Sequence, residues 1–300
     1  MERIQMANNL EFSRIIQGFW RLAEWNMPKQ ELLSFIKNCM AMGITTFDHA
    51  DIYGGYTCES LFGEALQLQP SLRDNMQIVT KCGIAPLSPK FPKRYVAHYN
   101  TSTKHIVKSV EQSLQNLHTD YIDLLLIHRP DPFMDPSEVA EAFTRVKQEG
   151  KVRHFGVSNF LPSQFNMLSS YLDFPLITNQ IEVSAMQLEH FEKGTIDLCQ
   201  EKRISPMIWS PLAGGEIFTG QNERAVRLRK TLQKVANELN ADGIDIVMYA
   251  WLLAHPAKMM PIVGSGKLDH VKSAIAATKL TLDRQQWFTI FESSNGHPVP

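Results

Sequence analysis

Eight short apolar, β-rich runs alternate with amphipathic helical patterns along nearly the whole chain. Most of these runs, such as residues 122–128, show no alternation of polar and apolar side chains. Strands of that kind are buried on both faces, as in parallel sheets covered by helices. Eight strand–helix units fit a closed barrel better than an open sheet. The sequence therefore predicts an α/β fold, a (β/α)8 TIM barrel, with residues 1–300 as a single domain because no Pro/Gly/Ser-rich linker divides them.

The periodicity places the elements at defined ranges. We predict strands over residues 15–20, 45–48, 77–81, 122–128, 153–158, 176–181, 205–210 and 259–263. We predict helices over residues 29–42, 59–67, 102–118, 137–149, 162–171, 188–202, 224–240, 244–255, 268–277 and 283–293. Two irregular segments, 82–101 and 212–223, follow strands three and seven. Loops after barrel strands lie at the catalytic mouth, so we expect both segments to wall or cover a site, although the sequence does not assign their roles.

Charge and cysteine content narrow the class of function. The chain has 30 Lys and Arg against 31 Asp and Glu, interspersed without a basic stripe, so we expect no nucleic acid and no membrane partner. The four cysteines lack CxxC spacing and no His or Cys pattern has metal-site spacing, which predicts reduced thiols and no metal. We expect no signal peptide at the polar N-terminus, and no apolar run reaches the roughly 18 residues of a membrane span. We expect a cytoplasmic protein, either a monomer or a weak homo-oligomer.

Four polar residues lie at or just beyond the ends of predicted strands two to four. Asp48 ends strand two and Tyr53 follows it in the loop. Lys81 and His128 end strands three and four. The carboxyl ends of barrel strands converge on one mouth, so we expect these side chains to meet. Taken singly, each has an ordinary explanation, as a packed Tyr, a solvated Lys, or an Asp or His that caps a turn. Together, at successive strand ends, they favour a shared chemical role.

These residue types suit proton donation to a carbonyl group. A phenol has a pKa near 10, so alone it exchanges protons poorly at neutral pH. The Lys81 ammonium is expected to lower the pKa of Tyr53, with Asp48 holding the ammonium in place. His128 is expected to hydrogen-bond the carbonyl oxygen and orient the substrate. Tyr53 then donates a proton as a hydride reaches the carbonyl carbon, which predicts a small-molecule carbonyl substrate.

Seven segments give the chain a family resemblance. They are residues 47–54, 80–81, 126–130, 156–160, 179–182, 209–212 and 261–265. In their order and spacing the chain resembles the aldo-keto reductase superfamily over essentially all of its length. The resemblance implies a (β/α)8 barrel with NADPH/NADP+ as the hydride-carrying cofactor. It also implies a catalytic tetrad of Asp48, Tyr53, Lys81 and His128.

The resemblance implies residues for the nicotinamide end of the cofactor. The residues that would hold the carboxamide are Ser158, Asn159 and Gln180. The indole that would stack on the ring belongs to Trp209. The residues that would border this end are Gly18, Phe19 and Trp20. Without the resemblance, Ser158 and Asn159 could equally cap the helix that begins near residue 162.

The resemblance also implies residues for the phosphates. Those that would meet the pyrophosphate are Ser210, Pro211 and Leu212. Those that would meet the 2′-phosphate are Gly264, Ser265, Gly266 and Lys267, where a helix N-terminus and a Lys suit a phosphate. The same four could be only a turn into a helix. The chain departs from the family pattern at Phe19, at His270, where an Arg is common, and at residues 273–274. Fewer fixed donors then remain, which leaves the strength of the NADPH preference over NADH open.

We therefore expect an NADP-dependent aldo-keto reductase that reduces an aldehyde or ketone to the alcohol. Two alternatives stay open at this point. Lys81 is a candidate Schiff-base amine of a barrel lyase, although a paired ammonium is a poor nucleophile. The barrel is also a candidate NADPH-binding sensor or partner subunit with little turnover. The sequence does not name the physiological carbonyl.

Overall fold

The computed structural model describes residues 1–300 and contains a closed barrel of parallel strands. In chain order the strands are β1 (Arg3–Ala7), β2 (Leu10–Ser13), β3 (Ile16–Gly18), β4 (Thr46–Asp48), β5 (Gln77–Cys82), β6 (Ile84–Ala85), β7 (His98–Tyr99), β8 (Ile122–Ile127), β9 (Val152–Ser158), β10 (Leu176–Glu182), β11 (Met207–Trp209) and β12 (Met260–Val263). Eight of them close the barrel in the order β3, β4, β5, β8, β9, β10, β11, β12, and β12 pairs back to β3. The predicted TIM barrel is confirmed.

The helices cover the outside of the barrel. They are α1 (Leu22–Trp25), α2 (Lys29–Ala41), α3 (Tyr53–Tyr56), α4 (Cys58–Leu66), α5 (Thr103–Leu117), α6 (Pro136–Gln148), α7 (Pro162–Ser169), α8 (Glu189–Glu192), α9 (Thr195–Lys202), α10 (Glu216–Thr219), α11 (Glu223–Leu239), α12 (Ile244–Leu253), α13 (Leu268–Ala277) and α14 (Arg284–Asn295). Their apolar faces pack on the outward-facing strand residues, and a separate cluster of buried side chains fills the barrel interior. None of the helices is both long and apolar enough to cross a membrane.

An antiparallel hairpin of β1 and β2, absent from the predicted elements, closes the N-terminal end of the barrel. Ala7 pairs with Leu10, so the turn consists of Asn8 and Asn9, a residue type that tolerates tight turns. Ile4, Leu10 and Phe12 are buried against the barrel interior. The carboxyl ends of the barrel strands lie at the opposite end, which is covered by the loops that follow the strands.

The remaining differences from the predicted elements have local causes. The helix predicted over residues 188–202 is divided into α8 and α9, because Gly194 adopts a left-handed φ of 68° that no regular helix accepts. Segment 82–101 contains the short antiparallel pair β6 and β7. The first barrel strand, β3, ends at Gly18, where a Cβ would lie 2.6 Å from the Ile262 side chain. The backbones of β3 and β12 therefore approach each other closely at this position.

Candidate active site

The structure brings Asp48, Tyr53, Lys81 and His128 together at the carboxyl end of the barrel. Asp48 is the last residue of β4, Lys81 lies near the end of β5, and His128 directly follows β8. These three strands are neighbours in the barrel. Tyr53 begins α3 and its ring meets the His128 imidazole edge to face, with centroids 5.8 Å apart. The sequence predicted this meeting from the strand ends alone.

The Lys81 ammonium lies at the centre of the cluster and is fully buried. Its Nζ lies 2.9 and 2.8 Å from the two carboxylate oxygens of Asp48, 2.7 Å from the His49 carbonyl oxygen and 3.1 Å from the Tyr53 hydroxyl. An ammonium has three N–H donors and no acceptor. Lys81 therefore donates to the Tyr53 oxygen, and the phenolic proton of Tyr53 must point away from Lys81.

The pKa of Tyr53 does not follow the expectation from sequence. Burial raises the pKa of Tyr53, Lys81 opposes this rise, and the net direction is upward. Lys81 does lower the pKa of Tyr53 as predicted, but the larger effect of burial, which a sequence does not show, outweighs it. At neutral pH the phenol keeps its proton, which is the state that a proton donor requires.

The neighbouring groups hold fixed charge states. Burial alone would lower the pKa of Lys81, but Asp48 and Tyr53 raise it overall, so the amine stays an ammonium. Burial, with Lys81 and Arg129, holds the pKa of His128 well below its usual range, so its imidazole is neutral at neutral pH. The His128 Nδ1 is buried without a partner. The Nε2 is thus the ring nitrogen available to a substrate.

Two buried carboxyl groups behind the tetrad were not anticipated from sequence. Glu59 accepts hydrogen bonds from the Thr80 hydroxyl at 2.7 Å and from the Asn116 amide at 3.2 Å. Burial raises the pKa of Glu59 and raises that of Asp51 well above its ordinary range. Glu59 ties α4 to the residue before Lys81, so it steadies the loop that carries Tyr53. An acidic residue in the first turn of a helix usually faces solvent, so the pattern gave no signal.

Around the predicted nicotinamide site, polar side chains form a continuous chain of hydrogen bonds. The Trp209 indole donates to Asn159 Oδ1 at 3.0 Å, and the Asn159 amide donates to the Ser158 hydroxyl at 2.8 Å. The Ser158 hydroxyl donates to the Gln180 carbonyl at 2.9 Å, and Gln180 Nε2 donates to Asp48 Oδ1 at 2.8 Å. These predicted site residues are therefore connected to one another and to the tetrad.

The three residues predicted to border the nicotinamide have different surroundings. Gly18 is buried between β12 and β4, and Trp20 is 57% exposed. The Phe19 side chain is fully buried and stacks on the His49 ring, with centroids 4.9 Å apart. The Phe19 side chain therefore belongs to the core, and the role of Phe19 at the cofactor stays a prediction. Burial lowers the pKa of His49 to about 3, so this ring is a neutral part of the core.

The residues predicted for the phosphates lie after β11 and β12. Ser210 has a left-handed φ of 48°, Pro211 is buried and Leu212 is half-buried. A Cβ at Gly264 would meet no atom within 4 Å, whereas one at Gly266 would lie 2.6 Å from the Trp25 ring. Gly264 thus faces open space, and Gly266 lets the turn pack closely on Trp25.

The turn before α13 presents a Lys next to a hydroxyl and an imidazole. The Ser265 hydroxyl lies 2.8 Å from His270 Nδ1 and accepts from the Lys267 main-chain N–H at 3.2 Å. The Lys267 side chain is exposed and makes no salt bridge. This group follows β12, whereas Asp48, Lys81 and His128 lie at the ends of β4, β5 and β8.

Comparison with known proteins gives a consistent result. Residues 14–295 match the model of the Aldo/keto reductase family. The chain is 59% identical to the uncharacterized oxidoreductase YcsN of Bacillus subtilis (strain 168) and 43% identical to the 6-dehydroglucose reductase of Agrobacterium fabrum, with both chains covered in full in each comparison. A crystal structure of a thermostable aldo-keto reductase with the inhibitor epalrestat has a TM-score of 0.81 at 25% identity, covering 98% of this chain and 100% of that one.

Proposed function

Because this chain belongs to the aldo/keto reductase family, and so is an oxidoreductase, we propose that it reduces an aldehyde or ketone to the alcohol with NADPH. The observation that carries the proposal is the contact of the buried Lys81 ammonium with the Tyr53 hydroxyl at 3.1 Å. This contact leaves a protonated phenol at the barrel mouth with its proton directed away from Lys81. A neutral His128 beside it supplies a hydrogen-bond donor for the same carbonyl oxygen.

The proposed chemistry divides between the cofactor and the chain. NADPH, when bound, supplies the hydride. Tyr53 transfers its proton to the carbonyl oxygen, and the O–H bond of the alcohol forms as the phenolic O–H bond breaks. Lys81 stabilises the resulting phenolate, and Asp48 keeps Lys81 oriented and charged. Tyr53 recovers its proton from solvent before the next turnover.

The residues of the predicted cofactor site suit NADPH. The amides of Asn159 and Gln180 have the donors and acceptors that a carboxamide needs. The half-buried Trp209 offers a flat indole held by its bond to Asn159. An anionic phosphate suits the start of α13, where Lys267 is exposed beside Ser265. We propose that these residues hold the nicotinamide and the 2′-phosphate.

Lys81 as a Schiff-base nucleophile fits the geometry less well. All three N–H donors of Lys81 are directed at Asp48, His49 and Tyr53, and its pKa is raised. Attack on a carbonyl needs a neutral amine with a free lone pair. The site therefore favours proton transfer by Tyr53 over covalent catalysis by Lys81.

We propose that the substrate class is a polyhydroxylated aldehyde of the 6-dehydroglucose type. The support is the 43% identity, over full lengths, to a protein named 6-dehydroglucose reductase. The test is NADPH oxidation measured against a panel of 6-dehydroglucose, simple apolar aldehydes, aromatic aldehydes and ketones. We expect the highest kcat/KM for 6-dehydroglucose. A clear preference for apolar aldehydes would refute this substrate class while leaving carbonyl reduction intact.

Replacing Trp209 tests where the nicotinamide ring lies. In the wild type we expect added NADPH to quench Trp fluorescence, because the indole would stack on the ring. Trp209→Leu is expected to remove most of that quench and to weaken NADPH binding, with the barrel still folded by circular dichroism. The matched control is Trp287→Leu, at a half-buried Trp on α14 outside the predicted cofactor site, which is expected to keep most of the quench.

An unchanged quench in Trp209→Leu would contradict the stacking role. Trp209 also packs against the cluster that fills the barrel interior. Loss of folding in this variant would instead favour a role as a plug of the barrel mouth.

Replacing Lys267 tests the choice of cofactor. We expect NADPH to bind more tightly than NADH, since Lys267 has a 2′-phosphate to meet only in NADPH. Lys267→Ala is expected to weaken NADPH binding by roughly three- to tenfold, the effect of one exposed charge-assisted hydrogen bond, and to leave NADH binding unchanged. The control is Lys272→Ala, an exposed Lys on α13 that pairs with Asp269. Equal losses for both cofactors, measured by isothermal titration calorimetry, would rule out this role of Lys267.

A further inference from the structure

One side-chain hydrogen bond crosses the barrel interior. Gln180 lies on β10 and Asp48 on β4, which are four strands apart in both directions around the barrel. Gln180 Nε2 donates to Asp48 Oδ1 at 2.8 Å, and both residues are buried. This bond connects the strand wall that carries the predicted carboxamide site directly to the tetrad on the opposite wall.

The backbone of Gln180 is fixed on both sides. Its strand pairs with β9 and β11, where Gln180 lies opposite Ser158 and Met207. Its carbonyl accepts from the Ser158 hydroxyl and from the Asn159 main-chain N–H, both at 2.9 Å. Only the side-chain torsions of Gln180 remain adjustable, and the bond to Asp48 fixes them.

Asp48 also determines which way the Gln180 amide faces. Lys81 contacts both oxygens of Asp48, which is the arrangement of an ionised carboxylate, and an ionised carboxylate can only accept hydrogen bonds. Gln180 must therefore present Nε2 to Asp48 and turn Oε1 the other way. No protein group donates a hydrogen bond to this Oε1, and Oε1 is not one of the fully buried polar atoms that lack a partner. An open acceptor at this position suits the NH2 group of a carboxamide.

We propose that Gln180 is a positioning residue that couples the carboxamide site to the Asp48–Lys81 pair, accepting a hydrogen bond at Oε1 while donating one at Nε2. The inference rests on the proposed function for its cofactor. An amide that accepts a hydrogen bond at its oxygen becomes a stronger donor at its nitrogen. Cofactor binding then strengthens the hold on Asp48, which orients Lys81 and through it the Tyr53 hydroxyl. By linkage, an ordered Asp48 tightens cofactor binding in return.

The test exchanges the donor and the acceptor of the cross-barrel bond. Gln180→Glu places two carboxylates together, and we expect NADP+ binding to weaken by roughly tenfold or more and to weaken further as pH rises. The double variant Gln180→Glu/Asp48→Asn restores one donor and one acceptor and keeps the formal charge of the wild type. It is expected to recover binding to within about threefold of wild type. Binding is measured by calorimetry with NADP+, so no turnover is required.

A matched control separates this role from general damage to the strand. Thr178 lies on the same strand, and its hydroxyl donates to the Ser205 carbonyl at 2.7 Å, away from the tetrad. Thr178→Val removes one hydrogen bond from β10 and is expected to leave NADP+ affinity unchanged. Undiminished binding in Gln180→Glu, or a double variant that binds no better than that single variant, would overturn the proposal.

Thermal unfolding without cofactor gives an independent measurement. We expect the double variant to have a higher Tm than Gln180→Glu, because it regains the cross-barrel bond, and a higher Tm than the summed shifts of the single variants Gln180→Glu and Asp48→Asn would give. Additive changes in Tm would also overturn the proposal. A wild-type chain that binds no NADP+ would refute the proposed cofactor instead, and the unfolding data would still decide whether Gln180 and Asp48 are coupled.

Discussion

Tyr53→Phe is expected to lower kcat for carbonyl reduction by roughly 100- to 10,000-fold, the range for loss of a general acid. The substitution removes one oxygen and keeps the ring that packs against His128. Affinity for NADPH should change little, because Tyr53 belongs to the tetrad and not to the set proposed to hold the cofactor. Steady-state kinetics and calorimetry on the same preparation separate these two effects.

A matched tyrosine control makes the Tyr53 result specific. The matched residue is Tyr56, the last residue of α3, whose hydroxyl accepts a hydrogen bond from Arg94. Tyr56→Phe removes a hydroxyl outside the tetrad and is expected to keep kcat near wild type. Retention of full turnover in Tyr53→Phe would refute its role as proton donor. A loss of NADPH affinity equal to the loss of kcat would show that Tyr53 acts in binding.

Lys81→Met is expected to lower turnover by roughly 100- to 1,000-fold, the effect of losing one preorganised group that stabilises developing charge. It should also destabilise the fold by roughly 3–5 kcal/mol, because the Asp48 carboxylate stays buried without its partner. Both effects follow from the complete burial of Lys81. Thermal unfolding reports the second effect separately from the first.

The double variant Asp48→Asn/Lys81→Met distinguishes stability from catalysis. It removes both charges of the buried pair, so we expect most of the lost stability to return. Turnover should stay low, because the Tyr53 oxygen still lacks its ammonium neighbour. A double variant with wild-type turnover would contradict the role of Lys81, and one as unstable as Lys81→Met would contradict the account of the buried pair.

The barrel and the meeting of the tetrad were predictable because both follow from strand order. Non-alternating strands indicate a covered parallel sheet, and the carboxyl ends of neighbouring strands must converge. Asp48, Lys81 and His128 could therefore be placed together without coordinates. The family resemblance is likewise confirmed, since residues 14–295 match that family's model. The roles of the individual site residues stay predictions.

The features that were missed depend on burial and on side-chain direction. The net rise in the pKa of Tyr53 reflects desolvation, which no local pattern reports. Glu59 looks like an exposed residue of a first helical turn, yet the fold buries it against Thr80. The bond between Gln180 and Asp48 joins residues far apart in sequence, on opposite walls of the barrel. Such contacts need the closed barrel and its side-chain torsions.

We propose that this barrel holds NADPH and uses Tyr53 to protonate a carbonyl. A single-turnover experiment tests it most directly: the enzyme is saturated with NADPH, mixed with excess 6-dehydroglucose or another reactive aldehyde, and followed by stopped-flow NADPH absorbance. We expect one rapid oxidation per site in the wild type, with the rate lowered by roughly 100-fold or more in Tyr53→Phe. Tight NADPH binding with no oxidation by any aldehyde, or equal rates in both proteins, would contradict it.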